Sequence, residues 1–160
     1  MSREFQKLVS RLDYPLFIAT VAVGEERDGC LIGFATQCSI DPPRFLACIS
    51  DKNRTFRLAE RAETMAVHFL PEDARVLAEL FGGETGDEVD KLAQVEWSPG
   101  PGGAPVLADC PNWFVGRILE RFDLGDHRGH LLEPLEAQAE RDQAELGFQD
   151  AKDIEPGHEP

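Results

Sequence analysis

The spacing of apolar positions changes period several times along the chain. Residues 3–12 place Phe5, Leu8, Val9 and Leu12 at helical intervals, and Pro15 ends that helix. Residues 16–23 are apolar almost without interruption, which predicts a buried strand stopped by Gly24 and the charged turn at 25–29. A second strand is predicted over 30–39, ended by the corner Asp41-Pro42-Pro43, and a third over 45–50. A short helix over 55–61 follows, with Leu58 and Ala62 on one side, and then a strand over 65–70. Pro71 is expected to open a helix: Glu72 and Asp73 suit its positive end, Val76, Leu77, Leu80 and Phe81 form its apolar face, and Gly82-Gly83 closes it. A further short helix is expected around 87–92, then a loop dense in Pro and Gly over 98–105. Two long β-type runs, 112–124 and 127–137, meet at Gly125-Asp126, which is hairpin chemistry. Many strands with short helices inserted between them point to a mainly β, closed architecture and not to alternating βαβ units.

Composition narrows the functional classes. With 160 residues the chain is about one domain, long enough to bury a core without disulfides or a structural metal. Its 30 acidic and 16 basic residues give a net charge of −14. That balance excludes a nucleic-acid partner, whose affinity rests on Lys and Arg displacing counterions, and it disfavours an anionic membrane surface. The longest apolar stretch is eight residues, against the roughly 20 that a membrane helix needs. The charged N-terminus has no apolar signal core, and Cys30, Cys38, Cys48 and Cys110 form no C-x-x-C pair. The expectation is a cytoplasmic protein with reduced thiols. From 133 onward, nine acids face two bases, so the end of the chain is expected to be a solvated face or a flexible tail.

Few residues suggest bond-making chemistry of their own. There is no G-x-S-x-G, and none of the four histidines has an identifiable Ser or Cys partner. His127 and His130, three apart on a predicted strand, face opposite ways and would meet on one metal ion only across a bulge. The glycine-rich stretch 82–86 lacks the Lys-Ser/Thr of a phosphate loop. Two stretches are more informative. Residues 51–57 (DKNRTFR) carry three bases and one acid at a predicted helix start, where the macrodipole disfavours cations. With Asn53 and Thr55 as caps, this is either an anion pocket or a surface turn whose bases pair with Asp51 or Glu60. Residues 33–39 (GFATQCS) mix small and polar side chains at a strand end, which suits either a flat ligand lying on the backbone or an edge strand bulged at Gly33.

Taken in order, these pieces resemble the flavin reductase-like family, the FMN-binding split barrels that serve as NAD(P)H:flavin oxidoreductases. The resemblance is carried by residues 28–43 (DGCLIGFATQCSIDPP), 48–55 (CISDKNRT), 65–70 (MAVHFL), 77–81 (LAELF) and Gly125-Asp126-His127, and runs from about 13 to 137. It implies a split β-barrel with Greek-key connections over 1–140, an acidic tail over 141–160, and a homodimer with flavin near the subunit interface. By position, Gly33, Phe34, Ala35, Thr36 and Gln37 would line the isoalloxazine ring. Ser50, Lys52, Asn53, Arg54 and Thr55 would meet the ribityl phosphate, and His127 would sit where nicotinamide docks. The sequence departs from the family pattern at Gly33, Phe34, Gln37 and His68.

The expected activity is therefore hydride transfer from NADH or NADPH to FMN, with FAD as the other flavin, and delivery of reduced flavin to an oxygenase partner. No side chain is assigned as a catalytic acid or base, and no metal is expected, because the cofactor supplies the chemistry. A flavin carrier or sensor on the same barrel is the second reading. An acidic interaction protein without cofactor is the third, and the basic cluster speaks against it.

Overall fold

The computed structural model describes residues 2–83 and 89–155. In chain order its elements are α1 (Arg3–Val9), β1 (Phe17–Val23), β2 (Glu26–Ile32), β3 (Ala35–Ser39), β4 (Arg44–Ser50), α2 (Arg54–Ala59), β5 (Thr64–Phe69) and α3 (Arg75–Gly83). After a 3-10 turn at Lys91–Gln94 come β6 (Trp97–Pro99), β7 (Pro105–Leu107), β8 (Asn112–Asp123), β9 (His127–Ala139) and α4 (Phe148–Ala151). Seven strands form one antiparallel sheet in the order β2-β1-β5-β8-β9-β4-β3, and β6 pairs with β7. β2 and β3 are consecutive in the chain yet stand at opposite sheet edges. The sheet must therefore curl, and the Gly33-Phe34 link bridges its open side, where the Cys48 N–H donates to the Phe34 carbonyl at 2.9 Å. This is a mainly β split barrel with short helices between its strands.

The unbroken apolar run of β1 follows from burial on both faces. Phe17, Ala19 and Val21 point into the barrel with Ile49, Met65, Val67 and Leu132. Leu16 and Ile18 point outward, under a layer built from Phe81, Leu92, Leu107, Leu146 and Ala151. Edge-to-face rings order the interior, with Phe17 and Phe69 centroids 4.9 Å apart and Phe45 and Phe114 5.1 Å apart. Such arrangements add about 0.5–1.5 kcal/mol each to the burial of the rings. Buried His68 fastens the two layers: its Nδ1–H donates to the Ile18 carbonyl at 2.9 Å and its Nε2 accepts from the Leu107 N–H at 3.0 Å. Desolvation pushes its pKa down to about 4, so the ring is neutral. Lys91 is also buried, and its ammonium donates to the Gly29 carbonyl at 2.9 Å and the Phe81 carbonyl at 3.5 Å, where it meets the negative end of α3.

Several local expectations change in the structure. The strand expected over 30–39 is two strands, because β2 pairs with β1 whereas β3 pairs with β4. Pro71 does not open α3. It bridges Glu145, the Glu72 N–H donates to the Ala144 carbonyl at 2.8 Å, and a turn closed by the Ala74 N–H on the Pro71 carbonyl at 2.9 Å delays the helix to Arg75. α1 ends at Val9, and its apolar residues Phe5 and Leu8 are exposed. The loop expected over 98–105 is largely the β6–β7 hairpin. The helix expected around 87–92 falls partly outside the described residues, as do residues 84–86 of the glycine-rich stretch and His158. The acidic end is not wholly solvated: Leu146 and Ala151 are buried against the outer layer. All four cysteines are free, three of them buried and Cys38 exposed. No helix among the described residues is long and apolar enough to cross a membrane.

Candidate functional site

β4 is the strand around which the site is built. On one side its residue Ser50 is the register partner of His127 at the start of β9. On the other, its Cys48 holds the Phe34 carbonyl, as described above. Just beyond β4, the Asp51 N–H donates to the Asp126 carbonyl at 2.9 Å, tying the loop before α2 to the β8–β9 turn. Gly125 makes that turn possible, since its φ of +120° is one that side-chain-bearing residues rarely adopt. Three stretches remote in sequence thus arrive side by side.

They enclose a cavity of about 480 Å³. Its apolar wall includes Leu16, Ile32, Phe34, Phe81, Phe148 and Ile154. Its polar groups come from Ser50, Asn53, Asp126, His127 and Lys152. A mostly apolar cleft of this size with a few convergent polar groups is the usual form of a small-ligand site. The His127 Nδ1–H donates to Asp126 Oδ1 at 2.7 Å. That hydrogen bond, above all, holds the Asp126 carboxyl below its ordinary range. The Phe34 ring lies against His127 with centroids 5.0 Å apart, and Tyr14 meets Phe34 edge-on at 5.5 Å.

Of the residues singled out from the sequence, Gly33, Phe34, Ser50, Asn53 and His127 line this cavity. Ala35, Thr36 and Gln37 do not line it. They continue along edge strand β3, where Thr36 and Gln37 are exposed, and Gln37 borders a separate groove with Phe45 and Trp113. Asn53 stands at the N-cap position of α2, but its side chain makes no capping bond, which leaves the amide available to the cavity. Lys52 is exposed beside the cavity, with its N–H donating to Ser50 Oγ at 3.3 Å. Arg54 turns toward β2: its guanidinium lies 3.7 Å from Glu26 and 3.8 Å from the buried carboxylate of Asp28. Thr55 is buried, and its hydroxyl finds no hydrogen-bond partner among the described residues. The basic cluster therefore divides between a cavity edge and an ion-paired anchor.

Sequence reasoning missed Asp126 as a partner of His127, and it missed the contribution of the C-terminal segment. Phe148, Ala151, Lys152 and Ile154 all border the cavity. The available signal was the recurrence of Leu146, Phe148 and Ile154 in an otherwise charged stretch, since isolated large apolar residues there mark a packed face. Backbone bonds seat the segment: Leu16 N–H to the Leu146 carbonyl at 2.9 Å, Leu146 N–H to the Leu70 carbonyl at 2.9 Å and Phe148 N–H to the Tyr14 carbonyl at 2.7 Å. Among the described residues no group of three His, Cys, Asp or Glu side chains could hold a metal ion.

Comparison with known proteins agrees with this architecture. Residues 9–153 match the model of the flavin reductase like domain. An FMN reductase (NADH), RutF, of Bradyrhizobium diazoefficiens is 36% identical over 92 residues, covering 56% of this chain and 51% of that protein. The reductase subunit HsaB of a flavin-dependent monooxygenase from Rhodococcus jostii is 30% identical over 104 residues, covering 62% of this chain and 52% of that one. The chain spans from about a third to three fifths of the length of such relatives. Among solved structures, the NADH:FAD oxidoreductase SgcE6 of Streptomyces globisporus superposes with a TM-score of 0.81 at 23% identity, over 90% of this chain and 86% of that one. A matching domain model over nearly the whole length, on a barrel that gathers the expected segments around one cavity, assigns the chain: it belongs to the flavin reductase-like family.

Proposed function

We propose that this protein is an NAD(P)H-dependent flavin reductase whose cavity holds FMN, or FAD in its place. The observation that carries the reading is the meeting of Gly33 and Phe34, Ser50 and Asn53, and His127 around a single cleft. The cleft fits a flavin in size and in chemistry: apolar side chains suit a flat ring, and hydroxyl, amide and imidazole groups suit the polar ends. When bound, the flavin supplies the hydride-accepting chemistry. The chain's residues orient and exclude water. Leu16, Ile32 and Phe148 provide the dry wall; Ser50 and Asn53, with Lys52 on the loop between them, face the phosphate end; His127, fixed in one tautomer by Asp126, positions the nicotinamide. No side chain is required to move a proton in the hydride step.

The relatives named as reductase subunits support a partnership in which reduced flavin passes to a monooxygenase. A homodimer agrees with the exposure of Phe5, Leu8 and Leu12 on the α1 side and of Phe122 and Leu124 at the end of the β8–β9 hairpin, which a single chain leaves uncovered. A cytoplasmic location agrees with the free thiols.

One observation favours a second reading, a flavin carrier without pyridine-nucleotide turnover: Phe34 packs on the ring of His127, where nicotinamide would have to enter. The two readings separate in one experiment. Protein loaded with FMN is mixed anaerobically with NADH and with NADPH, and flavin absorbance is followed. Bleaching on the turnover timescale is expected of a reductase. Persistent yellow would establish the carrier, and a protein that takes up no flavin would refute both.

A further inference from the structure

From the geometry of the C-terminal segment we infer that Lys152 recognises a phosphate group of the ligand in this cavity. The inference rests on the flavin-site reading above and assigns a residue from a segment that composition marks as an acidic tail.

Among the described residues that line the cavity, Lys152 is the one lysine or arginine. The two cations of the 51–57 cluster nearest the cavity do not take that place: Arg54 faces Glu26 and Asp28, and Lys52 is absent from the wall. Lys152 also lies in a stretch crowded with acids, yet it forms no ion pair with a described carboxylate. Its ammonium instead donates to Gln149 Oε1 at 3.3 Å. Gln149 is itself fixed, since its Nε2 donates to the Ser10 carbonyl at 3.0 Å and the Leu12 carbonyl at 2.8 Å, and its N–H donates to Asp13 Oδ1 at 2.9 Å. The ammonium is thus steered by an anchored neutral amide and keeps its charge uncompensated. Lys152 is exposed, so water solvates its ammonium, and an anion in the cavity would meet it with a charge-assisted hydrogen bond.

The segment that bears it is held at its far end as well. Arg75 of α3 donates to the Asp150 carbonyl and to Asp153 Oδ2, each at 2.9 Å. The Asp153 carboxylate beside Lys152 is therefore held against α3, while Phe148 and Ile154 border the cavity. Ser50 and Asn53 supply neutral donors to the same cleft, and a lysine complements them with the charge that a phosphate needs.

The phosphate could belong to the flavin or to the dinucleotide, and one set of variants tells them apart. Lys152→Ala and Lys152→Arg are compared with wild type for FMN and riboflavin affinity by flavin fluorescence, and for the KM of NADH with riboflavin as the acceptor. If the group is the flavin phosphate, Lys152→Ala weakens FMN by about tenfold, leaves riboflavin within about twofold, and Lys152→Arg restores FMN. If it is the dinucleotide pyrophosphate, both flavin affinities hold and the KM of NADH rises by about tenfold, again restored by arginine. Lys152→Ala that changes neither quantity, or that weakens riboflavin as much as FMN, overturns the assignment. A wild-type protein that binds neither flavin overturns instead the reading on which it rests.

Discussion

Asp126 and His127, adjacent in sequence, share a 2.7 Å hydrogen bond in which the imidazole Nδ1–H donates to the carboxylate. Neighbours along a strand normally point to opposite faces, so this contact depends on the tight turn at Gly125 just before β9. It fixes which ring nitrogen carries the proton, and it does so at the cavity wall.

His127→Ala should raise the KM for reduced pyridine nucleotide by roughly tenfold and leave flavin affinity nearly intact. Asp126→Asn should cause a smaller rise, because the amide still accepts from Nδ1–H but loses the charge assistance. Steady-state kinetics beside a flavin titration checks both. Unchanged kinetics in His127→Ala would return this residue to a solvent-facing turn.

Stability should fall as the medium is acidified, with His68 as one cause. Its pKa is lowered from 6.5 to about 4 in the fold, so between those values the unfolded chain takes up a proton that the native state refuses. The contribution is fully present above about 6.5 and is lost as pH falls toward 4, by on the order of 3 kcal/mol. Urea denaturation at pH 7 and pH 5 measures it. His68→Gln should be less stable at both values, but its loss between them should be smaller than in wild type.

Arg54→Ala should destabilise the fold by about 1–3 kcal/mol, because it leaves the carboxylate of Asp28, only 3% exposed, without its cation. Lys52→Ala, at an exposed position, should change stability by less than about 0.5 kcal/mol. Equal denaturation midpoints for the two variants would contradict the division of the basic cluster between anchor and cavity edge.

One thiol in four should react in the native protein. Cys38 is exposed, whereas Cys30, Cys48 and Cys110 are buried, and burial pushes Cys30 and Cys110 up to about 12. Thiolates are the reactive species, so a colorimetric thiol reagent should titrate one cysteine quickly and the other three only after denaturation. Fast modification of two or more would show the barrel opening readily.

If the uncovered apolar residues of α1 mediate a homodimer, Phe5→Ser with Leu8→Glu should shift the protein to a monomer near 17.8 kDa in light scattering. Because neither side chain is buried in the single chain, the thermal midpoint of a dilute sample should barely move. An unchanged dimer would place the interface elsewhere.

The alternation of apolar and polar residues by itself determined most of the strands, the hairpin at Gly125-Asp126 and the mainly β class, because burial on a sheet face is a local property with a fixed period. It also marked 33–39 and 51–57 as unusual, since small, polar or basic residues stood where a core or helix pattern was due, whereas Ser50 and His127 entered only through the family resemblance. Only the tertiary structure decided how these stretches combine. Whether residues 30–39 form one strand or two depends on which neighbour each half hydrogen-bonds, and periodicity is the same in both cases. That Ser50 stands opposite His127 is a matter of register between strands distant in the chain, set by the packing of the whole barrel. The fate of the charges was equally illegible. Arg54 is spent on Asp28 and Glu26, and Lys152 emerges from an acidic tail onto a cavity wall, because an ion's partner is chosen by proximity in space and not by order in sequence.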